Sequence, residues 1–140
     1  VELQAGRLEA ARRAAVAGAL GSQATRETTS WIVGLVTIAH LELQLGELGP
    51  AATLLGATSW LVERSGFDPA LMDADIAAWT CTLRWMLADS GLEDAFVRGR
   101  RLSADPLRSL LQELVAERPR PSRIDGGVRR VREPDRISRA

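Results

Sequence analysis

Apolar residues recur along this chain at helical spacing, and no stretch of useful length alternates with the period of two that a strand requires. From Leu3 to about Leu20 they fall at i, i+3 and i+4 in an alanine-rich segment that Gly21-Ser22 is expected to close. Thr25 or Thr28 is placed to cap a second, longer helix reaching about Leu45, which contains the densest apolar run, "WIVGLVTIAHL" at 31–41. Gly46 and Gly49 break it, and Pro50 opens a third helix over about 50–65 that stops at Ser65-Gly66. Asp68-Pro69 reads as the start of a fourth, since the aspartate caps free amides and the proline has none to satisfy. That helix runs to about Ala88, before Ser90-Gly91. A short helix follows over about 92–99, and Ser103 caps a sixth with Asp105 and Pro106 in its first turn, ending by Arg118. The pattern predicts an all-α fold of about six helices.

An internal repeat refines this expectation. Gly6, Leu8 and Ala11 in "AGRLEAARRA" fall on Gly46, Leu48 and Ala51 in "LGELGPAATL", forty residues on, and a weaker echo begins at "SGLEDAF", 90–96. Each copy suits a helix that ends at glycine, a leucine that buries the turn, and an alanine that lets the next helix pack back closely. Periods of this length are expected of stacked helix hairpins. Gly56 stands in the middle of "AATLLGATSW", where glycine costs about 0.5–1 kcal/mol relative to alanine. Ala52, Gly56 and Ser59 share one face at i, i+4, i+7, while Leu54, Leu55, Thr58, Leu61 and Val62 cover another. The small face predicts that a neighbouring backbone approaches there, offsetting the local cost.

The small residues resemble the tetratricopeptide pattern: Ala39 in the first helix of a unit, Gly46 at the turn, Ala51 where the second helix crosses, and Glu42 where an aromatic is usual. Over about 44–117, "AATLLGATSWLVERSG" and then "AFVRGRRLSADPLRSLL" are similar to the C-terminal helical-repeat region of bacterial LuxR-type and AfsR-type regulators and related signalling ATPases. The resemblance implies stacked antiparallel hairpins, a fragment of a right-handed α-superhelix, as domain 1–117. It implies packing positions at Ala39, Gly46, Ala51 and Gly56. The phosphate-binding loop and the helix-turn-helix of those regulators have no counterpart in the chain.

Composition adds little to this and charge somewhat more. With 140 residues, 46% of them hydrophobic, the chain suits one core. The longest apolar run is shorter than the roughly 18 residues of a membrane span, and the amphipathic start has no signal-peptide block. Cys81 is alone, which suits a reducing compartment, and a cytoplasmic location is the expectation. Every basic residue is arginine. The net charge of zero divides into −5 over 1–117 and +5 over 118–140, where "RPRPSRIDGGVRRVREPDRISRA" reads as a flexible basic tail.

No grouping of residues promises catalysis. His40 is the single histidine and has no Cys/His partners at ligand spacing, so a structural role is preferred to a metal or base role. Cys81 lies mid-helix after Trp79 and Thr80 and is expected to be buried and inert. Asp68, Asp73 and Asp75 lack the glycine and distal glutamate of a calcium loop, and helix-dipole stabilisation accounts for them. Ile76, Trp79, Leu83 and Met86 line one face of the fourth helix, whereas Trp85 and Trp60 sit off the apolar stripes. Packing is the ordinary fate of an indole. Exposed on a concave face instead, Trp60 and Trp85 with Arg64 and Arg84 would be a partner-binding set.

These observations lead to the expectation of a non-catalytic module that recognises protein or effector within a bacterial transcriptional regulator, without cofactor or metal. The partner is then another protein or the other domains of a longer regulator, of which this chain would be a piece or a truncated relative. Self-association through residues 1–20 is a further expectation, because terminal repeats need caps. Two alternatives stand beside it. One is a nucleic-acid-associated role for the arginine-rich tail, where a solvated terminus or linker is preferred. The other is a small helical enzyme joining His40, Cys81 or acids.

Overall fold

In the computed structural model the structure describes residues 2–116, and these are all-α. Six α-helices follow one another: α1 (Glu2–Ala24), α2 (Thr28–Gln44), α3 (Leu48–Ser65), α4 (Ala74–Ser90), α5 (Glu93–Arg100) and α6 (Ala104–Val115). A single 3-10 turn, Pro69–Leu71, precedes α4. The basic segment 118–140 lies outside the described residues.

Short loops join α1 to α2 and α2 to α3, so each pair folds back on itself. Helix α2 sits between α1 and α3; α3 carries α5 on its far side; and α6 returns to lie against α1. Helix α4 rests mainly on the 3-10 turn and α2, with a lighter contact to α3. A stack with contacts only between successive hairpins does not bring its first and last helices together. Here they meet, and Gln23 Nε2 donates to the Ala104 carbonyl at 3.2 Å.

The core follows from the apolar run of α2. Leu35, Ile38 and Ala39 are fully buried and meet Val16 and Ala19 of α1, and Ala51, Leu54 and Leu55 of α3. Helix α6 adds Leu107, Leu111 and Leu114, a buried i, i+4, i+7 stripe. Leu83 is the contribution of α4. The apolar positions Val16 and Ala19 of the first twenty residues are thus inside, under α2 and α6. Among the described residues the exposed large apolar side chains are instead Trp60, Leu71, Met72, Trp85, Met86 and Val97.

One charged pair is enclosed between α1 and α2. Arg12 Nη1 donates to both carboxylate oxygens of Glu42, at 2.9 and 3.1 Å, and the Glu42 side chain is wholly buried. Burying two charges is tolerable only when geometry compensates their lost hydration, and this contact supplies it. Nothing in the sequence pairs residues thirty positions apart; the one signal is an acid beside an apolar run.

Several boundaries differ from the sequence expectation, each for a local reason. Helix α1 continues through Gly21-Ser22 to Ala24, because the turn is made at Arg26, which takes a left-handed φ of 62°. Neither threonine caps α2: Thr25 Oγ1 donates back to the carbonyls of Gly21 and Ser22, and the cap position is Glu27. Asp68 caps only the 3-10 turn, by accepting from Ala70 N at 3.0 Å. Asp73 is the cap of α4, accepting from Asp75 N at 2.8 Å and Ile76 N at 3.4 Å. In the repeat, Gly46 (φ 82°) and Gly91 (φ 71°) do end helices in the left-handed conformation. Gly6 lies inside α1 and ends nothing. The first copy of the repeat is therefore a likeness of sequence without the turn.

Candidate functional site

The site is built on a close approach of two helices, where α3 crosses α5. A Cβ on Gly56 would fall on the Phe96 carbonyl oxygen and within 3.1 Å of Arg100 N. A Cβ on Gly99 would in turn fall on the Thr53 carbonyl oxygen. Two glycines thus face opposite backbones, and the helices touch main chain to main chain. Ala39 and Ala51 are buried beside this frame, and Gly46 forms the α2–α3 turn.

The crossing places the following turn of α3 beside the end of α5. Arg100 reaches Glu63 with two hydrogen bonds, Nη2 to Oε1 at 2.8 Å and Nη1 to Oε2 at 3.0 Å. That bonded guanidinium holds the Glu63 carboxyl below its ordinary range, with Arg84 adding a weaker pull in the same direction. The indole of Trp60, 38% exposed, has the guanidinium carbons of Arg100 and Arg64 at 5.9 and 6.0 Å from its ring centroid. Both lie at the outer limit of a cation–π contact.

On the other side of Glu63 a cavity of about 230 Å³ opens between α2, α3, the 3-10 turn and α4. Val36, Leu55, Val62, Pro69 and Ala70 provide apolar wall. Thr58, Ser59, Glu63, Asp68, Thr80 and Arg84 provide the polar wall. Arg84 Nη2 makes one long hydrogen bond, 3.4 Å, to Ser59 Oγ. Thr58 Oγ1 is occupied in its own helix, donating to the Leu54 carbonyl at 2.8 Å.

Helix α4 is tied to α2 by a stack. The rings of His40 and Trp79 lie 4.4 Å apart at 11°. His40 Nδ1 is buried without a hydrogen-bond partner, and burial pushes the imidazole pKa below its ordinary 6.5, favouring the neutral form.

Of the four residues proposed from sequence as a partner-binding set, the structure brings Trp60 and Arg64 together and places Arg84 on the adjoining cavity. Trp85 is 74% exposed on α4 and is not on the cavity wall, which overturns the expectation that packing would claim it. Cys81 is also exposed rather than buried: among the described side chains of its helix, those buried are Ile76 and Leu83. Met86 is likewise 37% exposed, so the apolar stripe of α4 is covered over part of its length. Sequence reasoning missed Arg100 and Glu63, which meet across two helices. It assigned Ser59 only to a packing face.

Among the described residues there is no group of three or more His, Cys, Asp or Glu side chains that could hold a metal. No helix among them is long and apolar enough to cross a membrane. Compared with known proteins, the chain matches no family model, no curated sequence and no solved structure.

Proposed function

We propose that this chain is a non-catalytic helical recognition module of a bacterial regulator or signalling protein, its hairpins closed into a bundle by α6 rather than left as an open stack, binding protein or effector at the Trp60–Arg84 face. The observation that carries the proposal is the partly exposed Trp60 ring with two arginines at cation–π range, on the helix whose Ser59 and Glu63 line a cavity with its own arginine. Aromatic and arginine side chains together dominate the energetics of recognition surfaces. Rigid helices behind them lower the ordering cost on binding. The two segments that resemble LuxR-type and AfsR-type repeat regions meet in the fold. "AATLLGATSW" and "AFVRGRRL" contain the two glycines of the α3–α5 crossing, so the motif residues serve one joint.

Selection of a random peptide display library on the full chain, followed by calorimetry of the enriched peptides, tests the proposal. Enriched peptides are expected to lose about tenfold or more in affinity on Trp60→Ala, with helical content unchanged by circular dichroism. Enrichment of nothing, or peptides that bind Trp60→Ala and Arg84→Ala as tightly as the parent, would refute it.

A further inference from the structure

The cavity beside Glu63 has a chemistry more specific than a general recognition face. Its volume, about 230 Å³, is below the roughly 300–1,000 Å³ of drug-sized sites, so its occupant is small. Val36 and Leu55, each 1% exposed, only close the floor of the cavity, and the apolar wall open to a short aliphatic chain is that of the half-buried Val62 and Ala70. Two charges on the polar wall are incompletely used. Arg84 carries five N–H donors in a planar fork and, among the described residues, employs one, in the 3.4 Å bond to Ser59. Asp68 spends Oδ1 on the Ala70 amide at 3.0 Å, and its other oxygen makes no hydrogen bond among the described residues. The remaining acid, Glu63, is engaged by Arg100 through both oxygens.

We propose that this cavity binds a free aliphatic α-amino acid as its zwitterion, with the carboxylate on Arg84, the ammonium on Asp68 and the side chain against Val62 and Ala70. The assignment rests on the recognition-module proposal and names its effector. A guanidinium fork suits a carboxylate, which it can hold through two parallel bonds. A simple carboxylic acid would satisfy Arg84 and leave Asp68 facing like charge. An alkylamine would satisfy Asp68 and leave the arginine without its anion. An amino acid meets both and fills the apolar wall as well.

The test is a titration of the isotopically labelled full chain with three probes: L-leucine, 4-methylpentanoate lacking the ammonium, and 3-methylbutylamine lacking the carboxylate. L-leucine is expected to give saturable shifts at the amides of Ser59, Ala70, Thr80 and Arg84, with each fragment at least about tenfold weaker. Arg84→Gln and Asp68→Asn should each weaken L-leucine by about ten- to a hundredfold, the size expected of a hydrogen bond to a charged group. Asparagine keeps the oxygen that caps Ala70, so the second variant preserves the local fold. No shift at about 10 mM L-leucine, a weak limit for any effector, would overturn the proposal. So would 4-methylpentanoate binding as tightly as L-leucine and indifferent to Asp68→Asn. If either occurs while selected peptides still require Trp60, the effector assignment falls and the recognition module stands.

Discussion

Among the described residues, His40 and Glu63 are the imidazole and the carboxyl whose surroundings move them clearly, and they act in separate pH windows. Burial lowers the pKa of His40, so the unfolded chain takes up its proton first as the medium is acidified. The stability that neutral His40 supplies is complete above its ordinary 6.5 and falls away as the pH drops from there towards the lower folded value. The pKa of Glu63 is depressed chiefly by its bonds to Arg100. Its contribution is complete above the ordinary 4.5 and is lost as the pH falls below that towards the folded value. Midpoints of thermal unfolding should therefore decline in two steps on acidification. His40→Phe, which keeps a ring for Trp79 to stack on, should erase the step beginning near 6.5 and leave the acid one. Glu63→Gln should do the reverse. A single unaltered decline in both variants would show that neither group controls it.

At the scale of the elements, glycine has opposite meanings in α1 and in the α3–α5 crossing. Nothing stands within 4 Å of a Cβ built on Gly18, so Gly18→Ala should stabilise by about 0.5–1 kcal/mol through helix propensity alone. At Gly56 and Gly99 the added carbon meets backbone that cannot swing aside. Gly56→Ala and Gly99→Ala should each cost about 1–3 kcal/mol in urea unfolding, and the double variant less than the sum, because one separation of the helices accommodates both. The need for a close approach at Gly56 was readable from its neighbours Ala52 and Ser59 on the same face; its partner Gly99 was not, since the two belong to different helices. The Arg12–Glu42 pair escaped in the same way. Glu42→Ala should cost about 3–5 kcal/mol by leaving a buried guanidinium with only its 3.9 Å contact to Glu9, whereas Arg12→Met with Glu42→Leu should cost much less. Cys81 and Trp85 were misjudged for a different reason. Periodicity finds the apolar stripe of α4 but not how much of it a neighbour covers, and α4 has cover mainly from α2 and the 3-10 turn.

Across the whole molecule, the return of α6 to α1 makes the ends of the described chain one cooperative unit. Leu111 is completely buried at that junction, and Leu111→Ala should cost about 2–5 kcal/mol. Hydrogen exchange should quicken in α1 as well as in α6; acceleration confined to α6 would show the two helices to be independent. In the unmodified protein the amides of α4 should exchange ahead of those of α3 and α5, because few buried side chains hold α4. Where two main chains touch with no side chains between them, there is nothing to re-sort, and α3 and α5 can travel only as a single rigid body. A guest entering between that body and α4 would meet one wall that cannot yield and another held more lightly, by Ile76, Leu83, a ring stack and a long arginine bond. The displacement it caused would pass into α4, which would give this small bundle one moving part and a fixed direction in which to signal.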